Sequence, residues 1–150
     1  MAQTLTRLLV HASFSTRNRT NLIKPDIEAE LFAYMGGICR NAGSSLLAAG
    51  GTANHVHLLI SLAKTLSIAD LIMNVKKDLS KWIKTKGSYF ADFQWQEGYG
   101  AFTIGESQVG DLKSYIARQK EHHHSVSFEA EYLAFVKKYN VSYDERYLWS

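Results

Sequence analysis

Short apolar runs alternate along this chain with longer stretches in which apolar residues recur every three or four positions, and the two periods assign most of the elements. Thr4–Ser15 carries a near-continuous apolar run (Leu8, Leu9, Val10, Ala12, Phe14) before the turn-like Ser15–Asn21 segment, which predicts a buried strand. Pro25 with Asp26, Glu28 and Glu30 marks a helix start, because proline suits the first turn and acids suit the positive end of the helix dipole. Ile27, Leu31, Tyr34, Met35 and Ile38 follow at helical spacing, and the helix is expected to stop near Asn41–Gly43. Ser45–Ala49 and His55–Leu62 read as two strands of a hairpin joined across Gly50–Asn54. Ser67 and Asp70 resemble a capping box ahead of a second amphipathic helix carrying Ile68, Leu71, Ile72, Val75, Leu79, Trp82 and Ile83. An aromatic-rich loop, Tyr89 to Tyr99, leads to a short strand at Gly100–Ile104. Helices are expected from about Ser107 to His123 and from Ser127 to Tyr139, before a polar-aromatic tail.

The order β-α-β-β-α-β-α plus an extra helix is the ferredoxin-like, RRM-like split βαβ pattern, an α/β (α+β) fold with one antiparallel sheet and helices packed on a face. A length of 150 residues suits one domain, 1–150, and no internal repeat or linker divides it. Apolar residues make up 46% and charged residues 21%, with a single proline, which excludes disordered and collagen-like classes. The longest apolar runs, such as Leu8–Val10 and Val56–Ile60, are too short to cross a bilayer. The N-terminus lacks a basic region followed by an apolar stretch, and the lone Cys39 has no internal disulfide partner, so a cytoplasmic protein is expected. Seventeen basic against fourteen acidic residues leave a net charge of +3, which permits an anionic partner without demanding one.

Chemistry concentrates in the histidines, five of six falling in two clusters. His55 and His57 flank Val56 in a strand, so their side chains leave one face about 6.5–7 Å apart while Val56, Leu58 and Ile60 take the core face. Such a pair can grip a metal ion, share an anionic phosphate, or merely occupy a solvated sheet face. Tyr115 and Gln119 share a helix face at i, i+4, which fits either a nucleophile beside a metal ligand or simple packing. The same face continues to His122 and His123. The run His122-His123-His124 suits phosphate, a divalent metal or an exposed helix end equally.

Taken together, His55-Val56-His57 and the Tyr-x-x-x-Gln about sixty residues later resemble the HUH superfamily of single-strand DNA nucleases. More narrowly, they resemble the single-tyrosine transposases of the insertion-sequence 200/605 family, with the REP-associated tyrosine transposases as near kin. The resemblance extends to Val10–Arg19, Trp95–Phe102, the helix with Tyr115, Gln119, His122 and His123, and the ending Tyr143–Leu148. It implies that His55, His57 and Gln119 hold a divalent ion, Mg²⁺ or Mn²⁺, and that Tyr115 is the nucleophile. Attack on single-stranded DNA would leave a 5′-phosphotyrosine link and a free 3′-hydroxyl, and reversal would rejoin strands without external energy. In keeping with that, Gly105 to Gly110 has Walker-like glycine spacing but Asp111 stands where lysine is needed. The implied partners are hairpin ends of the element. One nucleophilic tyrosine per chain and two ends to cut favour a homodimer, and the resemblance allows exchange of the Tyr115 helix between subunits. Candidate phosphate contacts are Arg17, Arg19, Lys77, Lys81 and Arg118. The rival reading is a non-catalytic, RRM-like single-strand-binding module, which would stack bases on sheet aromatics. Histidine-triad hydrolases are a poorer match, because Leu59 occupies their third histidine position.

Overall fold

A computed structural model describes residues 2–150. Four strands form one antiparallel sheet in the order β2-β3-β1-β4: β1 Leu8–Ser15, β2 Ser45–Gly51, β3 His55–Leu62 and β4 Gly100–Thr103. The helices are α1 Glu28–Asn41, α2 Ile68–Lys84, α3 Val109–Ala117, α4 Gln119–His122 and α5 Phe128–Lys138. The split βαβ order of the sequence is therefore the order of the fold.

Strand alternation divides the sheet into two unlike faces. Ala12, Phe14, Val56, Leu58 and Ile60 pack with Leu31 and Met35 of α1 and with Leu71, Val75 and Leu79 of α2 in the main core. Full burial of each of these side chains other than Ala12 contributes roughly 1.5–3 kcal/mol. The α2 stripe starts where expected, with Ser67 Oγ accepting from Asp70 N at 3.0 Å. On the opposite face lie His11, Ser13 and Ser15 of β1 beside His55 and His57 of β3. The register sets Ser13 against His57 and Ser15 against His55. Helices α3, α4 and α5 cover this polar face, and Phe102, Phe128, Tyr132 and Val136 form a smaller apolar cluster at its rim.

Boundaries differ from the sequence expectation at β1, which starts at Leu8 instead of Thr4, and at three further places. Gly50 and Gly51 belong to β2, paired with His57 and Val56, so the hairpin loop narrows to Thr52–Asn54. Only glycine tolerates that closure at Gly51, where a Cβ would collide with the His55 carbonyl. The single helix expected from Ser107 to His123 is instead a 3₁₀ turn, Glu106–Gln108, followed by α3, a break at Arg118 (φ −103°, ψ 21°) and α4. The break re-aims the chain so that Gln119 is turned inward and buried. Finally, α1 begins at Glu28, after a turn through Pro25–Ile27. Among the described residues, no helix is long and apolar enough to cross a membrane.

Candidate active site

The polar face of the sheet and the three covering helices enclose one side-chain cluster. His55 and His57 are each 0% exposed, which removes the solvated-face alternative for the pair. Ligand atoms of His55, His57, His123 and Glu131 all lie within 4.8 Å of one another. Gln119 joins them, its Oε1 3.0 Å from both His55 Nε2 and His123 Nε2.

The outer hydrogen bonds decide which way each ring faces. His55 Nδ1 lies 2.9 Å from Asn54 Oδ1, which only accepts, so the ring proton sits on Nδ1 and the Nε2 lone pair points inward. The same logic holds for His123, whose Nδ1 donates to the Val126 carbonyl. Two imidazole lone pairs therefore face the Gln119 carbonyl oxygen, and His123 Nε2 is also 3.2 Å from Glu131 Oε1. Acceptors facing acceptors at such distances need a proton or a metal ion between them. Imidazole nitrogens, an amide oxygen and a carboxylate suit a divalent ion that keeps positions open for phosphate and water, so the residues fit the implied ion. Burial, followed by the charge of His57, pulls His55 down to about 3, so it stays neutral and ready to ligate at physiological pH.

Glu131 lies at the centre of this cluster. Its Oε1 is 2.7 Å from His57 Nε2 and 3.7 Å from His55 Nε2. Its Oε2 accepts from the Tyr115 hydroxyl and, at 3.2 Å, from Gln119 Nε2, with His122 Nε2 also at 3.2 Å. Burial alone would raise this carboxyl, but contact with the imidazoles of His123 and His57 outweighs it and holds it well below the usual range. Tyr115 stands edge-on to His57, ring centroids 5.8 Å apart. Burial, then the bond to Glu131, holds its phenol well above its ordinary value. Behind His57, His11 Nε2 lies 2.8 Å from His57 Nδ1, and burial pulls His11 down to about 3.

The structure thus gathers Tyr115, His55, His57 and Gln119 in one place. Sequence reasoning missed Glu131 and His11. The five candidate phosphate contacts are dispersed. Arg17 and Lys77 share a groove of about 500 Å³ with Lys76, Trp95 and Tyr99. In that groove Lys76 Nζ donates to the carbonyls of Gln96, Glu97 and Gly98, and burial pulls it down to about 8. Lys81 is exposed farther along α2, and Arg118 is exposed at the α3–α4 break. Arg19 pairs with Glu129 at 2.9 Å and lies over Trp149.

Residues 4–119 match the sequence model of the family described as "Transposase IS200 like". Among solved structures, a protein from Deinococcus radiodurans assigned as a transposase superposes with a TM-score of 0.62 at 19% identity, covering 79% of this chain and 95% of that one. A REP-associated tyrosine transposase bound to a REP hairpin gives a TM-score of 0.61 at 14% identity, covering 84% of this chain and 76% of that one. No curated protein matches the chain.

Proposed function

The chain belongs to the IS200-like transposase family, and on that premise we propose that it cuts and rejoins single-stranded DNA at the ends of an insertion sequence through a covalent 5′-phosphotyrosine link on Tyr115. The observation that carries this reading is the convergence of the Tyr115 hydroxyl, the His55 and His57 imidazoles and the Gln119 amide in one cluster beneath α3–α5. His55, His57 and Gln119 would hold Mg²⁺ or Mn²⁺, with His123 beside them. Such an ion supplies Lewis-acid polarisation and orientation of the scissile phosphate. The protein's own part is to present a phenol oxygen at a fixed place beside that phosphate, which is worth several orders of magnitude in rate. It also neutralises strand charge through exposed cations such as Arg17 and Lys77, with Lys81, Arg118 and Arg19 as further contacts. The REP hairpin bound to the solved tyrosine transposase supports a DNA hairpin as the ligand here, and two ends to cut support two copies acting together. The rival single-strand-binding module would need an open aromatic sheet, whereas here helices cover the sheet's polar face.

The test is a denaturing gel with 3′-labelled single-stranded DNA copied from the sequence flanking the gene. Wild-type protein with Mn²⁺ forms a denaturant-resistant adduct, EDTA prevents it, and Tyr115→Phe forms none. The substitution removes one hydroxyl, so stability falls by only about 0.5–1.5 kcal/mol. An adduct that persists in Tyr115→Phe moves the nucleophile to another tyrosine.

A further inference from the structure

Resting on Tyr115 as nucleophile, we propose that Glu131 is a second catalytic residue, a carboxylate whose Oε2 takes the Tyr115 proton during attack while its Oε1 stands among the metal-holding imidazoles. The two oxygens face different chemistry. Oε1 faces the ring nitrogens of His57 and His123, at 2.7 and 3.2 Å. Oε2 faces groups that carry protons, the Tyr115 hydroxyl and the Gln119 amide. Glu131 is 3% exposed, so the chain has placed a charge in its interior and surrounded it from β3, α3 and α4. A buried charge aimed at the reacting oxygen costs more than a packing role explains.

A phenol is a weak nucleophile until its proton has somewhere to go. As the Tyr115 oxygen bonds to phosphorus, its proton passes to Glu131 Oε2. The bond from phosphorus to the 3′-oxygen breaks, its electron pair stays on that oxygen, and water protonates it. In the rejoining step a 3′-hydroxyl attacks the phosphotyrosine and loses its proton to water. The departing phenolate then recovers its proton from Glu131. His122 is the competing acceptor, with Nε2 3.3 Å from the Tyr115 hydroxyl, but it is more exposed and shares the same carboxylate oxygen.

Single-turnover adduct formation on the 3′-labelled flanking strand, alongside Mn²⁺ titrations, tests the assignment. Glu131→Gln keeps the shape of the side chain and should slow the adduct at least about 100-fold, the lower range for general-base catalysis. It should still bind the labelled strand and, at saturating Mn²⁺, should remain slow. The decisive arm places 3,5-difluorotyrosine at position 115, whose phenol gives up its proton far more readily than that of tyrosine. In the Glu131→Gln background it should restore most of the lost rate, because proton removal then depends less on a carboxylate. His122→Gln should stay within about threefold of wild type. Three results overturn the proposal: Glu131→Gln as fast as wild type, recovery by excess Mn²⁺ instead of by the fluorinated tyrosine, or loss confined to His122→Gln. If wild type binds the strand but forms no adduct, Tyr115 itself is misassigned and the parent reading fails with it.

Discussion

His11 is the one histidine outside both sequence clusters, yet its ring closes the back of the site against His57. A nitrogen that can donate or accept serves either tautomer of His57, so His11 holds that ring in orientation whichever nitrogen carries the proton. Replacing His11 with Leu should lower Mn²⁺ affinity about 10–100-fold, the usual cost of removing such a partner, and a titration at pH 7 checks it. An unchanged affinity would remove His11 from the site. The depressed histidines also set an acid limit. His11 and His55 titrate at about 3 in the fold against 6.5 when free. Below pH 6.5 the unfolded chain therefore binds protons that the folded chain refuses, and stability falls. The denaturant midpoint of metal-free protein should be flat above about pH 7 and drop progressively from about pH 6.5 towards about 4; a level profile would contradict the buried neutral rings. These residues were partly legible beforehand. His11 occupies the polar parity of β1 with Ser13 and Ser15, and Glu131 interrupts the apolar stripe of Phe128, Tyr132 and Phe135. Neither signal names a partner, because Glu131 meets His57 across 74 residues of sequence.

At the scale of elements, periodicity located all four strands and the two core helices, since apolar faces repeat with fixed periods. It failed at the α3–α4 junction. Between Ile116 and Gln119 the sequence is Ala117-Arg118, with neither proline nor glycine, so nothing local announces the break. The bonds of Gln119 to His55 and Glu131 accompany it, and these are tertiary. Another tertiary device is Gly50, where a Cβ would lie 2.5 Å from the Ile116 carbonyl oxygen. That missing methyl group lets α3 rest directly on β2 and brings Tyr115 down over His57. Gly50→Val should therefore lift α3, cost about 1–3 kcal/mol from overpacking, and reduce adduct formation more than tenfold. Chemical denaturation and the adduct gel measure the two effects separately. A variant that loses stability but retains full adduct yield would mean that α3 reaches the site without this contact.

For the whole molecule, the question is whether one chain completes its own site. The resemblance allowed Tyr115 to serve a partner subunit, and periodicity had no means of deciding. Here α3 and α4 are tied to the body of the same chain at several points. Ile116 seats against Gly50, Gln119 bonds His55, and Tyr115 bonds Glu131, which in turn bonds His57. Lending the tyrosine helix to another chain would break the Tyr115 and Gln119 contacts together, while His57 would stay on Glu131, and only a helix returned by the partner would restore the set. The tie is therefore cooperative: releasing α3 gains nothing unless an identical set of contacts is offered elsewhere. If Tyr115 is the nucleophile, the expectation is that each copy cuts with its own tyrosine, even when two copies act on the two ends of an element. Mixing purified Tyr115→Phe and His57→Ala chains checks it, since each is silent alone and only exchange can rebuild an intact histidine pair with an intact tyrosine. With 3′-labelled strand and Mn²⁺, the mixture should yield no adduct above either variant alone, after prolonged incubation as well as at once. Recovery of adduct in the mixture would show that α3 crosses between chains, and the contacts at Gly50 and Glu131 would then have to form between subunits.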